Sequence, residues 1–331
     1  MVYRNKVEFV KINDRGGLRK MFKFILKRIG YMFVTLWIVA TITFMLIHAI
    51  PGDPLAGMAR KLPPQIKANF YAKYGLDKPV IVQYGKFMGN IVLHGDLGES
   101  LAYPGRRVTD VIILHAPVSA RLGIQALSMG FFIGVSLGIL AAFNRGKWPD
   151  YVVMFVAILG ISVPNFVMAS LLQYFFTVKN MWLPTTGWGG FEYTILPSIA
   201  LSFASIATYA RYMRANTLDI VGQDYILTAK SKGITRLSLV WKHVIRNAIL
   251  PAITILGPQM AGIFVGSFVI ESIFSIPGFG FNFVTSVGDR DYTMILGQTV
   301  FLCALVIIAY VIVDILYGLV DPRIRLTGEK R

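Results

Sequence analysis

The chain has 331 residues, of which 55% are hydrophobic and only 15% charged, with a formal charge of +16 and a mean hydropathy of +0.60. Soluble domains carry about 25% charged residues, so this composition excludes an ordinary soluble protein and points to an integral membrane protein that crosses the bilayer several times. The positive charge then belongs with cytoplasmic loops and anionic lipid headgroups, not with nucleic acid, and the single cysteine, Cys303, excludes a disulfide or a thiolate metal cluster within the chain.

The first predicted span is the apolar stretch at 24–50. It is longer than the core of a secretory signal and runs into PGDP at 51–54 without a small-x-small cleavage site, so it is expected to remain as a transmembrane helix. Residues 1–28 hold nine Lys or Arg against two acids, a bias that keeps the N-terminal segment, 1–23, in the cytoplasm.

Residues 51–116 are too polar to span. GLDKPV at 75–80 and HGDLGES at 94–100 mark turns, and 64–74 reads as a short helix. A small extracytoplasmic cap or docking surface is expected. Asp53, Asp77 and Asp96 lack the compact spacing of a hard-cation loop, and no metal is assigned.

Five further spans are predicted at 117–143, 151–178, 196–213, 251–271 and 292–319, since about 20 apolar residues cross the hydrocarbon core. The fourth is interrupted by Ser, Thr and Tyr. Together with the first they form a transmembrane domain over 24–319 and return the tail, 320–331, to the cytoplasm. Inner segments then carry Arg145, Lys147, Arg211, Arg214, Lys230, Lys232, Arg236, Lys242 and Arg246, while Lys179 and Arg290 on the outside lie near Glu192, Asp289 and Asp291. That asymmetry follows the positive-inside rule, and Trp182 and Trp188 around the outer LPTTGWG loop are read as headgroup anchors.

Between the fifth and sixth spans lies ESIFSIPGFGFNFVTSVGDRDY, at 271–292. Its Pro and Gly break a helix and can turn the chain back toward the bilayer, where irregular backbone must be covered by protein or line a water-filled cavity. Pro277, Gly278, Phe279 and Gly280 are the predicted outer gate. Arg121, one turn inside the second span, is costly in lipid, and Asn165 and Gln173 can hydrogen-bond a polar cargo or join helices; these three are the pathway candidates. Ser119, Gln125, Ser162 and Gln298 have the same two readings.

Between the fourth and fifth spans, within a cytoplasmic segment at 214–250, begins DYILTAKSKGITRLSLVWKHVIRNAILPAIT, at 224–254. Trp241, Val244 and Ile245 offer an apolar face among Lys232, Arg236, Lys242 and Arg246, and Gly233 permits close approach of a partner whose acids the cations complement. Tyr225, Thr228, Ala229, Lys232, Gly233, His243, Arg246, Asn247 and Pro251 resemble the cytoplasmic EAA coupling loop of binding-protein-dependent ABC importer permeases, with Thr228, Ala229 and Lys230 standing where that loop has its literal EAA. PGDP, GLDKPV, HGDLGES, LPTTGWG and ESIFSIPGFG follow in the order found in the B-type permease subunit of the dipeptide and oligopeptide importers. The resemblance covers 22–323.

It implies an all-α type I ABC importer permease with six transmembrane helices, in a prokaryotic cytoplasmic membrane, that moves di- or oligopeptides inward in contact with membrane lipid. Implied partners are a homologous second permease, two ATPase subunits that use ATP and magnesium, and an extracytoplasmic solute-binding protein. No cofactor and no catalysis are expected in this chain. It has no GxxxxGK[ST] phosphate loop, and His48, His94, His115 and His243 are scattered without triad or metal companions. Importers of nickel chelates or other small polar solutes have similar permeases, so cargo stays open. A stand-alone channel or secondary transporter is a different class, opposed by the lack of a filter-like carbonyl sequence or of inverted broken-helix repeats.

Overall fold

The computed structural model of the chain describes residues 15–49 and 63–320. Residues 1–14, the PGDP turn at 51–54 and the tail beyond 320 lie outside the described residues. Regular structure among the described residues is helical, apart from one isolated antiparallel bridge between Glu99 and Arg107.

The first span is α1, Arg15–Ala49. The described part of the polar segment that follows, hereafter the cap, is folded. Its first helix, α2 (Pro64–Tyr74), matches the expected one and stops where Gly75 turns left-handed at φ +71° and the Leu76 amide reaches back to Tyr71 O at 2.9 Å, the Schellman arrangement. Pro79 then fixes the entry to α3 (Val80–Gly89), which continues as a π-helical turn, Asn90–His94. Buried Leu101, Phe44, Ile47, Tyr292 and Leu296 form the apolar centre of the cap, with Phe70, Tyr74 and Phe87 packed against it.

The next helix, α4 (Val108–Phe143), starts nine residues before the predicted span. Pro117 lies in its interior, because losing one backbone bond does not end a helix held by its neighbours. The third predicted span is not a single helix. It divides into α5 (Trp148–Ser162) and α6 (Asn165–Gln173), the latter extended by a π-helical turn at Tyr174–Lys179, with a bend of 106° between the halves. Pro164 explains the break: Val163 before it is extended at ψ 119°, since a proline ring disfavours helical geometry in the preceding residue.

The weak fourth span is longer and better covered than its composition suggests. As α7, Glu192–Val221, it is the most buried of the membrane-length helices, with 67% of its apolar window inside the protein. Gly130, Gly134 and Gly138 on α4 admit it: a Cβ on Gly134 would lie 2.6 Å from Tyr209 Cβ, and one on Gly138 2.6 Å from Met213 Cβ. Small residues at four-residue spacing let two backbones approach closely where the hydrophobic effect cannot drive association.

The segment predicted to be cytoplasmic consists of α8 (Asp224–Ser231), α9 (Arg236–Leu239), a π-helical turn at Val240–Ile245 and α10 (Arg246–Thr254). The fifth span begins after a break at Ile255, as α11 (Leu256–Ile273), so Pro251 sits in the preceding helix and not at the head of the span. Pro258 falls in the first turn of α11, where a missing amide costs no ladder bond. After the outer turn come α12 (Phe279–Gly288) and α13 (Tyr292–Val320).

Candidate functional site

Two groups of predicted residues sit at the two ends of α11. At its C-terminal end Glu271 is fully buried, and both carboxylate oxygens are used. Ser119 Oγ on α4 donates to Oε1 at 2.6 Å, and the Phe281 amide donates to Oε2 at 2.9 Å. Ser119 Oγ in turn accepts the Phe279 amide at 2.8 Å. The first amides of α12, which no intrahelical carbonyl can reach, are thus satisfied by a carboxyl group and a hydroxyl from two other helices, and the carboxyl oxygens lie at the positive end of the helix dipole.

The helix break predicted at Pro277–Gly280 lies slightly earlier in the chain. Phe279 and Gly280 already belong to α12, and the irregular residues are Phe274–Gly278, with Ser275 at φ +51°. Gly278 and Gly280 are required by close approach, not by their dihedral angles: a Cβ on Gly278 would lie 2.6 Å from Ser119 Oγ, and one on Gly280 2.7 Å from the Phe268 Cα. Pro277 is exposed and its carbonyl accepts from His115 Nδ1 at 2.7 Å. The LPTTGWG loop closes on the same turn, since the Gly187 amide donates to Phe274 O at 2.8 Å.

The pathway candidates each have a separate partner. Arg121 is exposed and stacks its guanidinium over the Trp188 ring at 5.3 Å, which moves Trp188 from a lone headgroup anchor into the packing of the outer loop; Trp182 is the exposed one. Gln173 donates to Thr185 O at 2.9 Å and to Ile273 O at 3.4 Å, tying the loop to the end of α11. Asn165 begins α6 just after the bend, with its side-chain nitrogen beside Gly266. Beside Phe279 an open cleft of about 490 Å³ is lined by Ile112, Pro117, Phe264, Phe268 and Leu302, among others, with Ser119 and Ser267 the polar side chains in an otherwise apolar lining.

At the N-terminal end of α11, the predicted coupling residues stand on a small apolar frame. Ile226, Ala229, Leu239 and Val244 are buried together, with Ile220, Val221 and Ile234 against them. Ala229 and Val244 therefore face into the chain, so Val244 is not on the apolar face offered outward. Gly233 is left-handed at φ +74° with nothing within 4 Å of the site of a Cβ; here the backbone conformation, not crowding, calls for glycine. Tyr225, Thr228, Lys232, Trp241, Arg246 and Asn247 are exposed and His243 half-buried, and Trp241 keeps 65% of its surface. The Asn247 amide donates to Tyr225 Oη at 3.3 Å and to His243 O at 2.8 Å, bracing α8 against α10.

Sequence reasoning passed over three features. Asp150, in the first turn of α5, is buried and holds Arg214 by two bonds of 2.5 Å and 2.7 Å, so Arg214, read from the sequence as an inner positive charge, is a structural partner. Glu271 was visible only as the end of a span. The Gly130, Gly134 and Gly138 series was legible as small-xxx-small spacing. Only the last carried a local signal.

Comparison with known proteins bears directly on this arrangement. The family model described as "Binding-protein-dependent transport system inner membrane component" matches residues 134–326, and the corresponding N-terminal model matches 21–104. The oligopeptide transport system permease protein OppB of Salmonella typhimurium is 40% identical over 307 residues, 92% of this chain and 100% of that protein. The dipeptide transport system permease protein DppB of Bacillus subtilis is 40% identical over 306 residues, 92% of this chain and 99% of its own length. Among solved structures, a chain of the MetNI methionine ABC transporter in an inward-facing conformation superposes with a TM-score of 0.53 at 17% identity, covering 64% of this chain and 97% of that one, a likeness of fold.

Proposed function

The chain belongs to the family of inner-membrane permease components of binding-protein-dependent transport systems, and from that premise we propose that it is the subunit through which an ATP-driven importer moves di- or oligopeptides into the cytoplasm. The observation that carries the mechanism is the placement of α11. One 18-residue helix, about 27 Å long, has the exposed coupling segment at its start and Glu271 with the outer turn at its end.

In this reading α8 and the residues around Gly233 seat in a cleft of a cytoplasmic ATPase subunit. Tyr225, Thr228, Lys232, Trp241, Arg246 and Asn247 form the contact, with Ala229 and Val244 as its internal support. ATP and magnesium are used by two such ATPases, and their closure displaces α11 and the helices packed on it. A homologous second permease completes the pathway, and an extracytoplasmic solute-binding protein delivers cargo to the cap. Pro277–Gly280 acts as the outer gate. The segment 224–254 is cytoplasmic, as are both termini, in line with their basic residues. Transport requires each partner to bind the two gate states with different affinity; docking alone shifts nothing.

Reconstitution of the assembled importer in proteoliposomes tests this. Uptake of a labelled tri- to pentapeptide pool is expected only with the binding protein on the extracytoplasmic side and ATP on the ATPase side. Flux through this chain alone, without ATPases, would overturn the assignment.

A further inference from the structure

Asp291 lies between α12 and α13, distant in sequence from the extracytoplasmic loop that it holds. It is buried at 2% exposure. Its Oδ1 accepts the Met294 amide at 3.2 Å, capping the first turn of α13, and the Leu101 amide at 3.0 Å. Its Oδ2 accepts from Ser100 Oγ and from the Ala102 amide at 3.4 Å. Ser100 Oγ accepts the Tyr103 amide at 2.8 Å, so the loop is wound around this one carboxylate.

The same loop grips α12 and its end from the other side. Arg106 donates to Asn282 Oδ1 at 3.1 Å, and Tyr103 Oη to Asp289 at 2.9 Å. Next to Ser100, the Leu101 side chain is part of the apolar centre of the cap, among Phe44, Ile47 and Tyr292. The loop is therefore fixed to the cap by an apolar plug and to the α12–α13 junction by the buried bonds to Asp291, while its bonds to Asn282 and Asp289 are exposed. A second Ser–carboxylate pair, Ser119 with Glu271, holds the opposite end of α12.

We infer that Asp291 is a positioning residue for import: through Ser100 and Ala102 it joins the cap to α12, so that a displacement of the cap by an extracytoplasmic partner moves the outer gate with it. A loop bonded only through exposed side chains would yield first, because exposed hydrogen bonds compete with water, whereas buried charge-assisted ones resist separation. The inference rests on the reading of Pro277–Gly280 as the gate.

The two oxygens of Asp291 allow its roles to be separated. Asp291→Asn keeps an Oδ1 acceptor for Met294 and Leu101 but replaces the Oδ2 acceptor of Ser100 and Ala102 with a donor; Ser100→Ala removes the same tie from the loop. Both variants and the double variant would be assembled with their partner subunits and compared by peptide-pool uptake and by amide hydrogen exchange of the whole complex. Each single variant is expected to slow uptake about tenfold, and the double variant no further, because both act on one tie. Exchange should rise together in 97–107 and 278–288 while the first turn of α13 stays protected. Additive losses, faster exchange confined to 97–107 with normal uptake, or failure of both single variants to assemble would each overturn the inference. Gly280→Val in the same assay separates the premise: normal uptake there sinks the gate reading, whereas linked exchange in the Asp291 and Ser100 variants reports on the joint itself.

Discussion

The turn at the proposed gate and the proposed coupling segment are attached to the two ends of one helix and meet their surroundings in opposite ways. At the outer turn, buried oxygens of Ser119 and Glu271 take up the leading amides of α12, and two glycines have no room for a side chain. In the proposed coupling segment a few apolar residues hold the frame, Tyr225, Thr228, Lys232 and Trp241 are exposed, and Gly233 stands in open space. A region satisfied within its own chain is built to hold a geometry. One that leaves cations and a tryptophan uncovered fits the partner contact proposed for it.

The contrast breaks most sharply at Glu271. Glu271→Ala orphans the Ser119 hydroxyl and the Phe281 amide and is expected to cost about 3 kcal/mol, read as a lower melting temperature of the purified complex together with lost uptake. Gly280→Val is expected to cost about 1–3 kcal/mol by forcing α12 away from Phe268, visible in the same melting assay. At the other end, Lys232→Glu with Arg246→Glu should leave melting unchanged and weaken ATPase copurification about tenfold, with the binding deficit shrinking as salt rises. Equal melting losses in the two regions would abolish the distinction.

Smaller effects sharpen it. Gly233→Ala is expected to cost about 1 kcal/mol through the left-handed backbone, whereas Gly233→Asn, which tolerates that conformation, should retain most ATPase copurification; equal loss from both would show that a partner fills the open space. The smallest effect is in the cap. The Gly105 amide, ahead of Lys73, holds the Glu99 carboxyl below its ordinary range near 4.5. A depressed folded value adds stability at neutral pH that is lost as pH falls through about 4.5 and below. Exchange protection around 97–107 should therefore weaken in acid, and Glu99→Gln should remove that acid dependence.

Much of the fold was legible because the bilayer forces it. Apolar length located five helices, and Gly75 and Pro79 announced the turns of the cap. Where the reading slipped, tertiary packing had overruled a local cue. Pro117 failed to start a helix that α7, α11 and α12 support, and Pro164 bent a span whose apolar length gave no warning. The coupling segment was readable as a motif, yet its pattern could not tell Ala229, which faces inward, from Thr228, which faces out, because a short helix presents both within one turn.

By itself the sequence determined membrane residence, the approximate spans, the basic element predicted to be cytoplasmic and the resemblance that identifies the family; each depends on composition or on residues close together in the chain. Only the tertiary structure decided which polar residues hold the ends of the spans. Glu271 finds Ser119 across 152 positions, and Asp291 finds Ser100 across 191. A buried carboxylate is tolerable in this fold only because distant donors converge on it, and no local pattern encodes that convergence.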